Sequence, residues 1–443
     1  MSIPLLATKL YLPRTHSECI QRPRLVEKLE GGLKKRITLI AAPPGFGKTT
    51  TLAGWLEEKK RQVAWLSLDA KDNDLSRFFS YLIAAFSTLG KFYSKEEFGE
   101  LAAGTLQTGQ TRQAELVLTT LINEMVDLAE NIDPKDLPLL LVLDDYHVVT
   151  EQAIHDAVEF LISGLPPSLH LIISSRVDPD LSLARWLIQD QVSELRAADL
   201  RFSSTEISDF FLQILGVQLS QADIASLETR TEGWVAGLKV AALSMRERCD
   251  ISSFIQTFTG SNRYILDFLV EEVLEQLPDT VQDFLLKTSI LERLCGPLCD
   301  FLTRSTDSQA LLETLERDNI FLDHLGDQSA WYRYHQLFGE FLRTQLSRKS
   351  PEKIPQLHYR ASIWLEENGY LPEAIEHALI SGNTERSTPL IEKAAREAIE
   401  RGEWGTLQRW LSALGKEQLS ERPRLCLARA WSLLYTGSQQ ETA

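Results

Sequence analysis

Short apolar runs alternate with amphipathic stretches through the first two hundred residues of the chain. Ile37–Ala41, Gln62–Leu68, Leu139–Leu143, Leu169–Ser174 and Val192–Leu195 are apolar or β-branched and of strand length. Between them, Thr49–Lys60, Ser76–Leu89 and Gln113–Ala129 repeat apolar residues at helical spacing. A strand that is apolar at every position is buried on both faces, so this alternation predicts a parallel sheet with helices on either side.

After Arg201 the strand pattern nearly vanishes. Ser203-Ser204-Thr205-Glu206 has the spacing of a capping box, in which serine oxygen and glutamate carboxylate each satisfy an orphan N–H, and it predicts a helix through Leu215. Helical spacing continues in Ile224–Leu227, Trp234–Leu243 and Tyr264–Leu274, and Pro278 breaks it. Val281 to about Leu346 reads as a compact helical module ending in the aromatic, strand-like run Trp331–His335, which suggests a winged helix. From Ile354 onward, His358–Asn368, Leu371–Ile380, Ser387–Arg401, Trp404–Leu414 and Arg424–Tyr435 read as paired helices of tetratricopeptide type.

The expected fold class is therefore multidomain: an α/β parallel-sheet domain over residues 1–200, an all-α lid over 201–277, a winged helix over 278–350 and helical repeats over 351–443. The length of 443 residues agrees, since one hydrophobic core rarely supports so long a chain. Stacked repeats need neighbours or a polar cap, so the array is expected to continue beyond Ala443.

Charge narrows the partners. With 46 Lys and Arg against 62 Asp and Glu, the formal charge of −16 opposes binding to a nucleic-acid backbone, and Lys34-Lys35-Arg36 and Lys59-Lys60-Arg61 are short solvated clusters. No apolar run approaches the roughly 18 residues that span a bilayer, and Met1–Leu10 lacks a signal pattern, so no membrane partner and a cytoplasmic location are expected. Cys19, Cys249, Cys295, Cys299 and Cys426 are scattered and odd in number, which argues against a disulfide framework. Cys295 and Cys299 have the spacing of one helix face, but without a second ligand pair they read as buried structural residues.

The candidate chemistry starts at Ala42-Pro43-Pro44-Gly45-Phe46-Gly47-Lys48-Thr49-Thr50, directly behind the first strand. A strand that ends in a glycine-bearing turn and restarts as a helix aims successive N–H groups and the helix dipole at one spot, which suits phosphate. Ala42 stands where the usual pattern has its first glycine, a position where a negative φ suffices. Lys48 is expected to serve the β- and γ-phosphates, Thr49 to offer its hydroxyl to Mg2+, and Thr50 to reach the α-phosphate side. Leu139–Leu143 followed by Asp144-Asp145 places two carboxylates at the end of an interior strand, Asp144 to hold Mg2+ through water and Asp145 to activate attacking water.

Leu169–Ser174 leads into Ser175-Arg176, and an arginine at that strand tip suits a γ-phosphate; the alternative is a surface arginine paired with Asp178 or Asp180. Trp234 reads as packing. His335, a lone histidine among aromatics, reads on chemistry alone as a core residue.

Ala42–Thr50, Leu141–His147, Ser174–Pro179, Leu195–Phe202, Thr231–Leu238 and Trp331–Phe338 occur together and in order, and in this the chain resembles the large ATP-binding transcription regulators of the LuxR type. That family belongs to the signal-transducing ATPases with numerous domains (STAND), near the AAA+ proteins. The resemblance implies an ADP-bound resting monomer that opens and self-associates on binding inducer and ATP, with ATP/ADP and Mg2+ as cofactors. It implies that Lys48 and Thr49 match the Walker A residues, Asp144 and Asp145 the Walker B pair, and Arg176 the sensor arginine. It places His335 where winged-helix histidines of related switches touch the diphosphate, and Ile20–Arg24, with Arg24, around the adenine. Family members bind an unidentified inducer through the repeats and DNA through a C-terminal helix-turn-helix, which does not occur within these residues, so DNA contact is expected only through a further domain. The competing class is an AAA+-like mechanochemical ATPase acting on a protein partner; a scaffold that binds nucleotide without hydrolysis is a third.

Overall fold

The computed structural model describes residues 5–14, 20–93, 95, 98–106, 113–130, 132–246, 250–325, 330–401, 403–415, 419 and 422–436. Cys19, Cys249 and the stretch from 437 to Ala443 lie outside the described residues. The chain divides into two compact units, Met1–Phe258 with Arg317–Ile320, and Thr259–Glu316 with Phe321–Ala443.

The first unit is built on a five-stranded sheet of β1 (Ile37–Ala41), β2 (Val63–Ser67), β3 (Leu139–Asp144), β4 (Leu169–Ser175) and β5 (Val192–Arg196), in the order β2-β3-β4-β1-β5. All four pairings are parallel. Every residue of β1, β3 and β4 is buried, which is why their sequences are mainly apolar rather than alternating. His170 interrupts the apolar run of β4 and is satisfied within the sheet. Its Nε2 lies 2.9 Å from Thr38 Oγ1 and its Nδ1 2.8 Å from the Lys35 carbonyl oxygen, and burial pulls it down to about 4.

Parallel strands point their C-terminal ends the same way, and the register decides what gathers there. Ala41 pairs with Ser175, Leu143 with Ile173, and Ser67 with Asp144. The ends of β1, β3 and β4 therefore share one edge, with β4 between the other two. Helices Lys48–Lys59, Leu75–Phe92, Gln113–Ala129 and Gln152–Gly164 connect the strands.

After the sheet this unit continues with helices Ser204–Leu215, Gln221–Thr231, Val235–Met245 and Ile251–Thr257. The first opens on the capping box that the sequence predicts. Ser203 Oγ accepts from the Glu206 N–H at 3.3 Å, and the Glu206 carboxylate accepts from the Ser203 N–H at 2.9 Å.

Among its described residues the second unit is mainly helical, with one hairpin and an isolated bridge from Leu294 to Tyr332. Helices Asp279–Thr288 and Gly296–Thr303 precede antiparallel β6 (Leu322–His324) and β7 (Tyr332–Tyr334), and helix Gln336–Lys349 follows. The Tyr334 hydroxyl lies 2.7 Å from Thr288 Oγ1, tying the hairpin to its first helix. Helices Ile354–Glu367, Leu371–Ile380, Thr384–Glu400, Trp404–Ser412 and Pro423–Thr436 then pack in sequence order. His358 and His377 face each other in the first of these pairs, with their Nδ1 atoms 2.8 Å apart.

Cys295 and Cys299 are buried and Cys426 exposed, all free thiols. Among the described residues no cluster of three or more His, Cys, Asp or Glu is arranged to hold a metal, and no helix is long and apolar enough to cross a membrane.

Candidate functional site

The loop between β1 and helix Lys48–Lys59 turns on two glycines. Gly45 and Gly47 have φ of 78° and 77°, the left-handed region that a side chain disfavours, and Gly47 forms the N-cap of the helix. Ala42 is not among the residues with positive φ and is fully buried, so alanine fits where the usual pattern has glycine. Lys48 folds inward, and its Nζ donates to the carbonyl oxygens of Ala42 at 2.7 Å and Pro43 at 3.2 Å.

Thr49, the second residue of the helix, faces the end of β3. Its Oγ1 lies 3.0 and 3.2 Å from the two carboxylate oxygens of Asp144, which is buried. Asp145 follows in the left-handed region, with φ of 57°, and its carboxylate is half-exposed. Residues held in sparsely populated backbone conformations cost of order 1 to 3 kcal/mol and gather at functional sites. Arg176 leaves the end of β4, and its carbonyl oxygen accepts from Asn319 Nδ2 at 3.1 Å.

These groups feel one another. Desolvation pulls the Lys48 ammonium down to about 8; Asp145 and Asp144 oppose that shift and Arg176 reinforces it. Burial, reinforced by Asp145, pushes the Asp144 carboxyl up, against the Thr49 hydrogen bond. His147, just past the two carboxylates, is held down to about 3 by burial, then by Arg176 and Lys48. Its charged form is disfavoured in a corner that already holds two cations.

A cavity of about 630 Å3 runs from this loop along helix Lys48–Lys59. Gly45, Gly47 and Thr50 line its loop end, and its walls are largely apolar, with Phe202, Phe210 and Val235 among them. On one side the wall is Ile20, Gln21, Arg22, Leu25 and Val26, at the entry to helix Pro23–Gly32. Pro44 and Phe46 complete the loop: the Pro44 carbonyl oxygen accepts from Trp234 Nε1 at 3.1 Å, and the Phe46 ring is buried.

The first unit thus brings Lys48, Thr49, Asp144, Asp145 and Arg176 to one edge of the sheet. Arg24 is placed differently from the expected adenine contact. Its guanidinium is drawn to Glu206, at 3.0 and 2.9 Å, and to the carbonyls of Asp199 and Arg201, while its neighbours form the cavity wall. His335 belongs to the second unit, where it is buried just after β7, its N–H bonded to the Phe321 carbonyl oxygen at 2.8 Å.

Two contributors were missed by the sequence reading. Trp234 is core, as expected, but the core it joins is the underside of the loop: besides its indole bond to Pro44, the Ala236 N–H donates to the Gly45 carbonyl oxygen at 3.0 Å. Arg22 and Glu206 form a second contact 184 residues apart in the sequence, a pairing that no local pattern encodes.

Comparison with known proteins agrees with this architecture. The MalT winged helix domain matches residues 270–354. The chain is 34% identical over 432 residues to the serine/threonine-protein kinase PknK of Mycobacterium tuberculosis, covering 97% of this chain and 38% of that protein. It is also 34% identical over 430 residues to the HTH-type transcriptional regulator MalT of Yersinia pestis, covering 96% of this chain and 46% of the regulator. The Walker-type ATPase paby2304 of Pyrococcus abyssi shares the fold, with a TM-score of 0.53 at 16% identity over 75% of this chain and 98% of that one. The chain thus spans less than half the length of these curated relatives. On its winged helix and along nearly its whole length the chain is thus similar to part of the regulator MalT, and it shares the fold of a Walker-type ATPase.

Proposed function

We propose that this chain is an ATP/ADP-dependent switch module of a LuxR-type transcriptional regulator. The observation that carries the reading is the convergence of Lys48, Thr49, Asp144, Asp145 and Arg176 around a loop whose Gly45, Gly47 and Thr50 line a cavity large enough for a nucleoside. In this reading the loop N–H groups and Lys48 cradle the β-phosphate, the apolar cavity takes the nucleoside, and Thr50 lies beside the α-phosphate. Thr49 and Asp144 present oxygen donors only, a set that suits Mg2+, with Thr49 as direct ligand and Asp144 through water. Bound there, Mg2+ neutralises charge on the β- and γ-phosphate oxygens. Asp145 orients the attacking water and accepts its proton, and Arg176 distinguishes the triphosphate from the diphosphate.

Close relatives of one module are carried by a kinase in one organism and a transcription regulator in another, which fits a switch whose output is set by other domains. We assign it ADP at rest, ATP with inducer driving self-association, slow hydrolysis resetting it, and a cytoplasmic setting. His335 is assigned a contact to the diphosphate, the helical pairs after residue 351 the sensing of inducer as tetratricopeptide-like repeats, and DNA contact a separate domain. Moving such a switch from 1:99 to 99:1 takes about 5.5 kcal/mol of preference between states, within reach of a γ-phosphate meeting Lys48, Mg2+ and Arg176.

The test is the nucleotide content of freshly purified protein together with its calorimetric affinity for ADP. Stoichiometric ADP on a monomer, lost in Lys48→Ala, supports the reading. Protein that binds no adenine nucleotide, or that turns ATP over at roughly 1 per second or faster with free ADP release, refutes it.

A further inference from the structure

The wall of the cavity formed by Ile20–Arg22 lies outside any helix: Arg22 takes φ of −126° and ψ of 76°, and helix Pro23–Gly32 begins only after it. What holds that wall is a buried carboxylate from a distant helix. Glu206 accepts from Arg22 Nε at 3.1 Å and Nη2 at 3.2 Å, and from Arg24 Nε at 3.0 Å and Nη2 at 2.9 Å, in addition to the Ser203 N–H. Arg22 Nη2 also donates to the carbonyl oxygens of Leu200 and Arg201 at 2.9 and 2.8 Å, and its guanidinium lies 4.5 Å from the centre of the Phe202 ring.

The position of Glu206 on its helix gives this contact its consequence. Glu206, Phe210 and Ile214 are spaced i, i+4, i+8 and so share one helix face, and Phe210 and Ile214 line the same cavity as Arg22. Burial opposes the charge on Glu206, but Arg24, Arg22 and the Ser203 N–H overcome it and hold the carboxyl down to about 2, so the clamp stays ionised at any physiological pH. A bidentate pair between planar guanidinium and carboxylate fixes orientation as well as distance.

We propose that Glu206 is a positioning residue for the nucleoside: through Arg22 and Arg24 it sets the spacing between the Ile20–Arg22 wall and the Phe210–Ile214 wall, and so the grip on the base and sugar. The inference rests on the nucleotide reading above and deepens it. It divides the site in two, a phosphate end held by the loop and a nucleoside end held by Glu206.

That division supplies the test. The affinities of the full chain for ADP and for tripolyphosphate, which lacks a nucleoside, are measured by calorimetry for wild type, Glu206→Gln and Arg24→Gln. Glu206→Gln is expected to weaken ADP on the order of tenfold while leaving tripolyphosphate within about twofold, because only the nucleoside wall loosens. Arg24→Gln removes one arm without stranding the buried carboxylate, since Arg22 remains, and is expected to weaken ADP less, again with tripolyphosphate unchanged. If both variants bind ADP as wild type does, or if ADP and tripolyphosphate weaken in parallel, the inference is overturned while the nucleotide reading stands. Wild-type protein that binds tripolyphosphate but not ADP overturns both.

Discussion

The hydroxyl of Thr49 lies 3.0 and 3.2 Å from the two carboxylate oxygens of Asp144, joining the start of one helix to the end of a strand two places away in the sheet. Asp144 is buried, and this is one of the bonds that keep its carboxylate tolerable there.

Thr49→Val keeps the shape and removes the donor. A buried acceptor left without its partner costs about 1 to 3 kcal/mol, so the ligand-free variant is expected to unfold at lower urea than wild type at pH 8. The folded pKa of Asp144 is raised, so its charged form is the unfavourable one in the folded state, and that penalty fades as pH falls and the carboxyl protonates. The gap between variant and wild type should therefore narrow toward pH 4. An equal gap at both pH values would mean that the hydroxyl stabilises something other than the carboxylate.

The two loop glycines differ in what surrounds them. A Cβ on Gly45 would stand 2.6 Å from Ala236 Cβ and 2.9 Å from Trp234 Nε1, whereas at Gly47 the nearest atom is Val235 Cγ2 at 3.9 Å. Gly47→Ala thus meets backbone strain alone, about 1 to 2 kcal/mol, while Gly45→Ala adds overpacking of a further 1 to 3 kcal/mol. Thermal unfolding should rank them wild type, Gly47→Ala, Gly45→Ala. Equal losses would show that Trp234 and Ala236 yield without cost.

Three buried histidines and the half-buried His147 make the protein acid-sensitive above the carboxylate range. His147 is pulled down to about 3 and His170, His358 and His377 to about 4, in each case chiefly by desolvation. Below about pH 6.5 the unfolded chain takes up protons at these sites that the folded chain refuses, so stability falls as pH drops from about 6.5 toward 4. Each group contributes a slope of up to about 1.4 kcal/mol per pH unit in that window. The urea midpoint should decline between pH 7 and 4.5, and His170→Gln should flatten the part of the decline that belongs to the first unit. A level profile across that window would contradict the burial of these rings.

Local pattern carried much of this fold. The strand β1 and the helices Gln113–Ala129 and Leu371–Ile380 have the limits their apolar spacing predicts, because a buried parallel strand and an amphipathic helix each write their period into the sequence. The Ser203–Glu206 capping box was legible for the same reason, being contained in four residues. The same glutamate's bonds to Arg22 and Arg24 were not: they join segments more than 180 residues apart, and nothing in a helix-capping signature says what else the carboxylate will meet. Trp234 was legible as core, but the identity of the surface it covers depends on how helix Val235–Met245 docks, which hydrophobic periodicity leaves open.

Lys48 sets function against stability. Its ammonium is buried, partnered by two carbonyl oxygens and pulled down to about 8 by desolvation, with Arg176 adding repulsion. Lysine with a lowered folded pKa is a cost near neutrality: the unfolded chain holds that proton more tightly, so the cost is largest below the folded pKa and vanishes as pH rises past the unfolded value near 10.5. Lys48→Met retains the stem and removes the charge. The ligand-free variant is therefore expected to match or exceed the wild-type thermal midpoint at pH 7, with the advantage shrinking by pH 10. In the same samples ADP with Mg2+ should raise the midpoint of wild type and leave the variant unmoved, since ligand stabilisation follows RT ln(1 + [L]/Kd). A variant that is markedly less stable without ligand would place Lys48 among the residues that hold the loop together, and its loss of nucleotide binding would then be a folding effect. The expected pattern instead identifies a charge kept at this position for its ligand.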